Sequence, residues 1–262
     1  MKLSLIQLTV GPSFEENFKN SKKLINQSLQ SEPDFILFPE HFLFLSNKKK
    51  ISLELNHPSI VFFQEFAIKY KVNILLGSLP IKENNKIFNR SMVIDLNGNL
   101  ISQYDKIHMF DVILKNNEVY NESDTFTPGN KLKTFKLDNC LMGHSICYDL
   151  RFPKLYRALA KKGAKVIVIP SAFTFTTGKA HWHTLVRSRA IENSVYIVAP
   201  NQWGTNIERR STYGHSMVVS PWGDIIAEAK DEETILNCEI DISDVEVYQQ
   251  SIPVLKNDVD IF

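Results

Sequence analysis

LMGHSICYDLRFPKLYRALAKKGAKVIVIP, residues 141–170, contains a strand, a turn, a helix and a second strand. Leu141 to Ile146 reads as a strand. Pro153 opens a helix with Leu155, Ala158 and Leu159 on its inner face. Lys161 and Lys162 fall in its last turn and Gly163 stops it. Val166 to Ile169 is the next strand. This is a βαβ unit, and Cys147 sits at its first turn.

The same logic extends towards the N-terminus. Leu3 to Leu8 reads as a strand, broken by Gly11-Pro12. Ser13, with Glu16 three residues on, is the capping-box arrangement for a helix. Asp34 to Phe38 is a near-continuous apolar run, as expected of a strand buried on both faces. It ends at Pro39-Glu40. Ser59 to Tyr70 reads as a helix and Val72 to Leu79 as a strand. Arg90–Leu96 and Leu100–Tyr104 form a hairpin around Asn97-Gly98, and its second arm runs into Asp105-Lys106. Residues 109–131 form a turn-rich excursion, with Asn116-Asn117 and Pro128-Gly129 as breaks, and neither it nor 41–58 has a readable path.

Beyond the βαβ unit, Ala180 to Glu192 is a helix and Val195 to Ala199 a strand. Met217–Ser220 and Ile225–Ala229 form a second hairpin around Pro221-Trp222-Gly223, and Thr234 to Ile240 is a last strand. The tail from Asp241 has weak periodicity. Alternating α and β elements without a linker or repeat predict one α/β domain over 1–262.

Bulk composition excludes several classes. The 262 residues carry a net charge of +1, which gives no reason to expect nucleic acid or an anionic membrane as partner. The one dense basic run, Lys48-Lys49-Lys50, reads as a solvated loop. No apolar run approaches the roughly 18 residues of a membrane span. Three cysteines, Cys140, Cys147 and Cys238, argue against a disulfide framework and for a reducing, cytoplasmic compartment.

Glu40, Lys106 and Cys147 each follow a predicted strand, and sites in open α/β sheets form at strand carboxyl ends. Cys147 is either a packing residue or a nucleophile. The following helix is expected to aim its N-terminal dipole at the sulfur and lower the thiol pKa. Glu40, at the mouth of an apolar layer, is expected to have a raised pKa suited to acid–base work. Lys106 suits stabilisation of an oxyanion. The histidines offer rivals. His144 or His215 could pair with Cys147 as in a cysteine protease. No zinc spacing is present, and His181 and His183 point to different helix faces, so no metal is expected.

The segments Phe38-Pro39-Glu40, Tyr104-Asp105-Lys106-Ile107-His108, Gly143 to Pro153, His181-Trp182 through Asn193, and Tyr213 to Gly223 occur in an order that resembles the nitrilase superfamily of carbon–nitrogen hydrolases. The resemblance covers essentially the whole chain. It implies a four-layer αββα sandwich, a homodimer or higher homo-oligomer, and no cofactor. It implies a Glu40–Lys106–Cys147 triad and a second glutamate, matched by Glu122 rather than Glu118. The backbone N–H of Tyr148 becomes an oxyanion donor, and Phe173 and Thr174 become substrate contacts. Within the superfamily the chain looks most like the branch of deaminated glutathione amidases and ω-amidases. That implies hydrolysis of a small primary amide, deaminated glutathione first and α-ketoglutaramate as the alternative. A catalytically silent binding protein of the same fold is the reading from another class. Lys179 and Pro200-Asn201-Gln202-Trp203 depart from the branch pattern, and both are expected near the pocket.

Overall fold

The computed structural model describes residues 1–46, 49–114, 118–205 and 210–259. Lys48 of the basic run, the Asn116-Asn117 turn, Arg209 and the end of the tail at 260–262 lie outside the described residues.

The first half builds one sheet and its covering helices. β1 (Lys2–Gln7) leads to α1 (Phe14–Ser28), then β2 (Phe35–Leu37), α2 (Pro58–Tyr70), β3 (Asn73–Glu83), β4 (Lys86–Ile94) and β5 (Leu100–Asp105). The Ser13 hydroxyl accepts from the Glu16 N–H at 3.3 Å and starts α1 as its sequence predicts. Pro58 occupies the first turn of α2, where its missing N–H costs nothing. β2 lies parallel between β1 and β3, which is why its three residues are all buried and apolar.

A small hairpin of β6 (Asp111–Ile113) and β7 (Val119–Asn121) occupies the excursion. The second sheet begins with β8 (Thr134–Leu137) and β9 (Cys140–His144). It continues through α3 (Pro153–Lys161), β10 (Val166–Val168), α4 (Phe175–Asn193) and β11 (Tyr196–Ala199). β12 (Trp203–Thr205) and β13 (Ser211–Tyr213) pair with each other. β14 (Met217–Val219), β15 (Ile225–Glu228), β16 (Thr234–Glu239) and α5 (Asp244–Ser251) complete the chain.

The strands form two six-stranded sheets, in the orders β16-β1-β2-β3-β4-β5 and β15-β14-β11-β10-β9-β8. Three buried clusters mark the layers. Ile6, Ile36, Ile74 and Ile94 pack with Leu24, Phe63 and Ala67 of α1 and α2. Leu5, Leu37, Leu75 and Val93 of the first sheet meet Met142, Val166, Val168 and Val198 of the second. Ile167, Ile197 and Val219 pack with Leu159, Trp182 and Val186 of α3 and α4. The molecule is therefore the four-layer αββα sandwich.

Two features exceed the sequence reading. β16 pairs antiparallel with β1 rather than with its neighbour in sequence, so the chain crosses between sheets after β15. The tail forms α5, tethered by Tyr196 Oη donating to Asp244 at 2.8 Å and by Lys165 on Glu246 at 2.6 Å.

The strand ends that matter are fixed by close backbone contact. A Cβ at Gly77 would lie 1.9 Å from the Pro39 carbonyl oxygen and 2.2 Å from that of Phe38. Only glycine lets β3 run this close to the segment carrying Glu40. Gly77→Ala should therefore cost about 1–3 kcal/mol of stability, as overpacking does. Gly11→Ala, with nothing within 4 Å of the added carbon, should stay within about 0.5 kcal/mol of wild type. Denaturant unfolding of both variants checks this.

Candidate functional site

Glu40, Lys106 and Cys147 come together at the carboxyl ends of β2, β5 and β9, although 66 and 41 residues separate them in sequence (106 − 40 and 147 − 106). They line one cavity of about 450 Å³, together with Glu122, Tyr148, Phe173 and Thr174. The excursion and the 41–51 loop supply its outer wall through His41, Phe44, Lys49, Lys50, Tyr120 and Phe126.

Lys106 is the centre of the polar network. Its Nζ donates to Glu40 Oε1 at 2.9 Å and to Glu122 Oε2 at 2.7 Å, with a further contact to Glu122 Oε1 at 3.0 Å. Burial alone would depress the ammonium pKa. Glu122, then Glu40, override it and raise the value above the ordinary lysine range. The carboxylates are satisfied in turn. Asn89 Nδ2 donates to Glu40 Oε1 and Glu122 Oε1, both at 2.9 Å. The Ala172 N–H donates to Glu40 Oε2 at 3.0 Å and the Phe110 N–H to Glu122 Oε2 at 2.7 Å. Gln202 Nε2 holds the Glu40 carbonyl at 2.6 Å.

Burial pushes the Glu40 carboxyl up, but the Lys106 ammonium and then His41 pull it down to about 2. This corrects the expectation of a raised value. Burial is the largest single effect, but the cation at 2.9 Å, His41 and the hydrogen bond from Lys106 together outweigh it. Glu40 is therefore an ionised acceptor in the same cavity as the Cys147 thiol.

Cys147 also differs from expectation. A 3₁₀ turn, Cys147–Arg151, separates it from α3, so the helix does not begin at the sulfur. Burial and the adjacent Glu40 charge push the thiol well above its usual value, against the opposing pull of Lys106. The pull of Lys106 is outweighed by burial and by the Glu40 charge together.

The turn itself is strained and held. Cys147 adopts a left-handed φ of 46°, uncommon for a side chain and typical of residues held in place by their surroundings. Its N–H donates to the Pro170 carbonyl at 3.0 Å. Asp149, fully buried, accepts from Ile146 N–H at 2.9 Å, Tyr104 Oη at 2.7 Å and His108 N–H at 3.1 Å. Among the described residues the Tyr148 N–H makes no hydrogen bond, which leaves it available to an oxyanion beside Cys147.

The rival bases sit elsewhere. His144 donates or accepts through Nε2 with Ser102 at 3.1 Å, packed against Tyr104 and Phe135. His215 faces Glu228 and Asp231. Glu118 accepts from Tyr120 Oη at 2.8 Å, while Glu122 is the residue on Lys106. Two pocket expectations need correction. Lys179 is exposed on α4, and Trp203 pairs with Tyr213; neither lines the cavity. Asn201 and Gln202 lie behind the wall instead, where Asn201 Oδ1 accepts from the Phe173 N–H at 3.0 Å.

The sequence reading missed Asn89 and Asp149. A polar, weakly strand-forming Asn amid Ile87, Ser91 and Met92 was the available signal for the first. For the second it was an acid three residues after Ile146 at a turn.

The carbon–nitrogen hydrolase family model matches residues 2–250. A deaminated glutathione amidase of Synechocystis sp. is 36% identical, over 97% of this chain and 96% of that protein. An ω-amidase, NIT2, of Xenopus tropicalis is 34% identical, over 97% of this chain and 93% of its own. Among solved structures, Saccharomyces cerevisiae Nit3, a member of branch 10 of the nitrilase superfamily, superposes with a TM-score of 0.87 at 32% identity, covering 98% of this chain and 96% of its own. The C. elegans NitFhit protein gives 0.90 at 32% identity, covering 98% of this chain. This chain spans 64% of the longer NitFhit chain.

The burial of His144 has a consequence for stability. Burial lowers its pKa from 6.5 to about 3. Between those values the unfolded chain binds a proton that the folded chain refuses. Stability therefore falls as pH drops from 6.5 towards 3, by up to about 1.4 kcal/mol per pH unit from this residue. Denaturant unfolding across that window should show a shallower dependence for His144→Gln than for wild type. Identical slopes would place the pH dependence elsewhere.

Proposed function

The chain belongs to the carbon–nitrogen hydrolase family, and from that premise we propose a thiol-dependent amidase, 1–262 forming one hydrolase domain, that converts a small primary amide to a carboxylic acid and ammonia. The observation that carries this reading is the convergence of Cys147 and Glu40 with Lys106 between two carboxylates.

The ionised Glu40 takes the Cys147 proton as the sulfur attacks the amide carbon. Lys106 and the Tyr148 N–H stabilise the tetrahedral oxyanion. The protonated Glu40 passes its proton to the leaving nitrogen, and ammonia departs from a thioester. Glu40 next takes a proton from water, whose oxygen attacks the thioester. The thiol leaves with that proton and the acid is released. Glu122 and Asn89 hold Lys106 and Glu40 in position throughout. Phe173 and Thr174 contact the substrate, and no cofactor enters.

The outer cavity carries Lys49, Lys50 and Arg210 against one acid, Asp124. That excess supports an amide with a distant carboxylate. Deaminated glutathione is the preferred substrate, in keeping with the Synechocystis relative, and α-ketoglutaramate is the second reading, in keeping with the ω-amidases. Among the described residues no helix is long and apolar enough to cross a membrane. The three unpaired cysteines support a cytoplasmic enzyme. Exposed Trp222, Ile225 and Ile226, beside Ile191 packed on Gly223, support a homodimer or higher homo-oligomer.

Cys147→Ala should abolish turnover of both amides, and retention of full turnover would overturn the scheme. Glu40→Gln should lower kcat by about 10²–10⁴, and Lys106→Met by about 10²–10³. The ratio of kcat/KM for deaminated glutathione and α-ketoglutaramate chooses between the substrates. Lys50→Gln should raise KM for either acid and leave KM for an uncharged short amide unchanged.

A further inference from the structure

A second cluster of metal-ligating side chains lies outside the Cys147 cavity. His183 comes from α4, His215 from the turn before β14, and Glu228 from the end of β15. One ligand atom from each lies within 4.8 Å of the others. His183 Nε2 and His215 Nδ1 both stand 2.7 Å from the same atom, Glu228 Oε1. None of the three lines the cavity.

The chemistry of these donors selects a class of cation. Two imidazoles with one carboxylate suit zinc and the neighbouring divalent transition metals, whereas magnesium and calcium prefer oxygen alone. Three protein ligands leave a fourth tetrahedral position for water. The side chains are one-fifth to one-third exposed, so an ion can reach them.

Asp231 adds an independent observation. Its Oδ1 lies 3.2 Å from His215 Nε2, the nitrogen that faces away from Glu228. Metal-bound histidines characteristically donate their other N–H to a carboxylate.

The turn bearing His215 is rigid. Gly214 and His215 are both left-handed, at φ 71° and 55°. Asn201 Nδ2 donates to the Gly214 carbonyl at 2.6 Å and Trp182 Nε1 to that of His215 at 2.8 Å. The His215 ring stacks on Tyr213 with centroids 4.4 Å apart.

The other such cluster, Glu40, His41 and Glu122, differs in one respect. There the Lys106 ammonium already occupies the cation position. Among the described residues Glu228 forms ion pairs only with the two histidines.

We propose that His183, His215 and Glu228 bind one divalent transition metal of the zinc class, with Asp231 orienting His215. The ion ties α4, the 213–217 turn and the end of β15 together. Binding requires the ligand atoms to part from 2.7 Å to about 3.3 Å, the edge of a tetrahedron with metal–ligand bonds of about 2.0 Å. Rotation of partly exposed rings supplies that.

Equilibrium dialysis of Zn²⁺ against the full chain carrying Cys147→Ala, which removes the competing thiol, tests the site. One equivalent should be retained. His183→Ala and the isosteric Glu228→Gln, each in that background, should weaken binding at least tenfold. Asp231→Asn should weaken it by about 10–100-fold. Circular dichroism of each variant establishes that it is folded. Co²⁺ in place of Zn²⁺ should develop tetrahedral visible absorption that Glu228→Gln abolishes. Absence of a retained equivalent, or binding and Co²⁺ absorption indifferent to both His183→Ala and Glu228→Gln, would overturn the proposal.

Discussion

One buried lysine between two buried carboxylates sets the terms for the rest of the site. Lys106 has a side-chain exposure of 2%, and its Nζ lies 2.9 Å from Glu40 and 2.7 Å from Glu122. Taking three charges out of water is costly, and such groups persist only when nearly every lone pair and proton has a partner. Asn89, Ala172 N–H and Phe110 N–H provide those partners. The cluster carries a net single negative charge, counting two carboxylates against one ammonium. A thiolate beside it would add a second. The Lys106 ammonium keeps Glu40 ionised, while burial and the surplus negative charge keep Cys147 protonated.

The sandwich delivers this arrangement through strand ends. β2 and β5 carry Glu40 and Lys106 from the first sheet, and β9 carries Cys147 from the second. The two sheets pack through Leu37, Val93, Met142 and Val168, so the inter-sheet core fixes the distance between Cys147 and Glu40. Glu122 arrives from the excursion, whose hairpin also forms the cavity wall. Arg90 strengthens the β4–β5 pair just before Lys106, with Nε on Asp105 at 2.6 Å and Nη2 on Glu83 at 2.6 Å.

Much of this was legible in the sequence because short-range rules govern it. The buried β2, the Asn97-Gly98 hairpin and the βαβ unit follow from hydropathy period and turn chemistry, and all three strand-end residues meet. The position of Glu122 on Lys106 was available only through the family resemblance. Asn89 and Asp149 escaped notice because their roles depend on partners far away in sequence, 49 residues for Asn89 to Glu40 and 45 for Asp149 to Tyr104. The protonation states of Glu40 and Cys147 were misread for a related reason. A strand end predicts desolvation, but only the fold reveals that Lys106 faces Glu40 and that the Glu40 charge stands beside Cys147. The crossing of β16 to the first sheet has no local signal at all.

The central claim concerns one proton, held on Cys147 at rest and taken by Glu40 during attack. Thiolate ultraviolet absorbance, recorded as the difference between wild type and Cys147→Ala over a pH titration, tests it most directly. The account predicts no thiolate signal from Cys147 at neutral pH, and an ionisation midpoint above the ordinary thiol value of 9.0. A fully developed thiolate at neutral pH would contradict it.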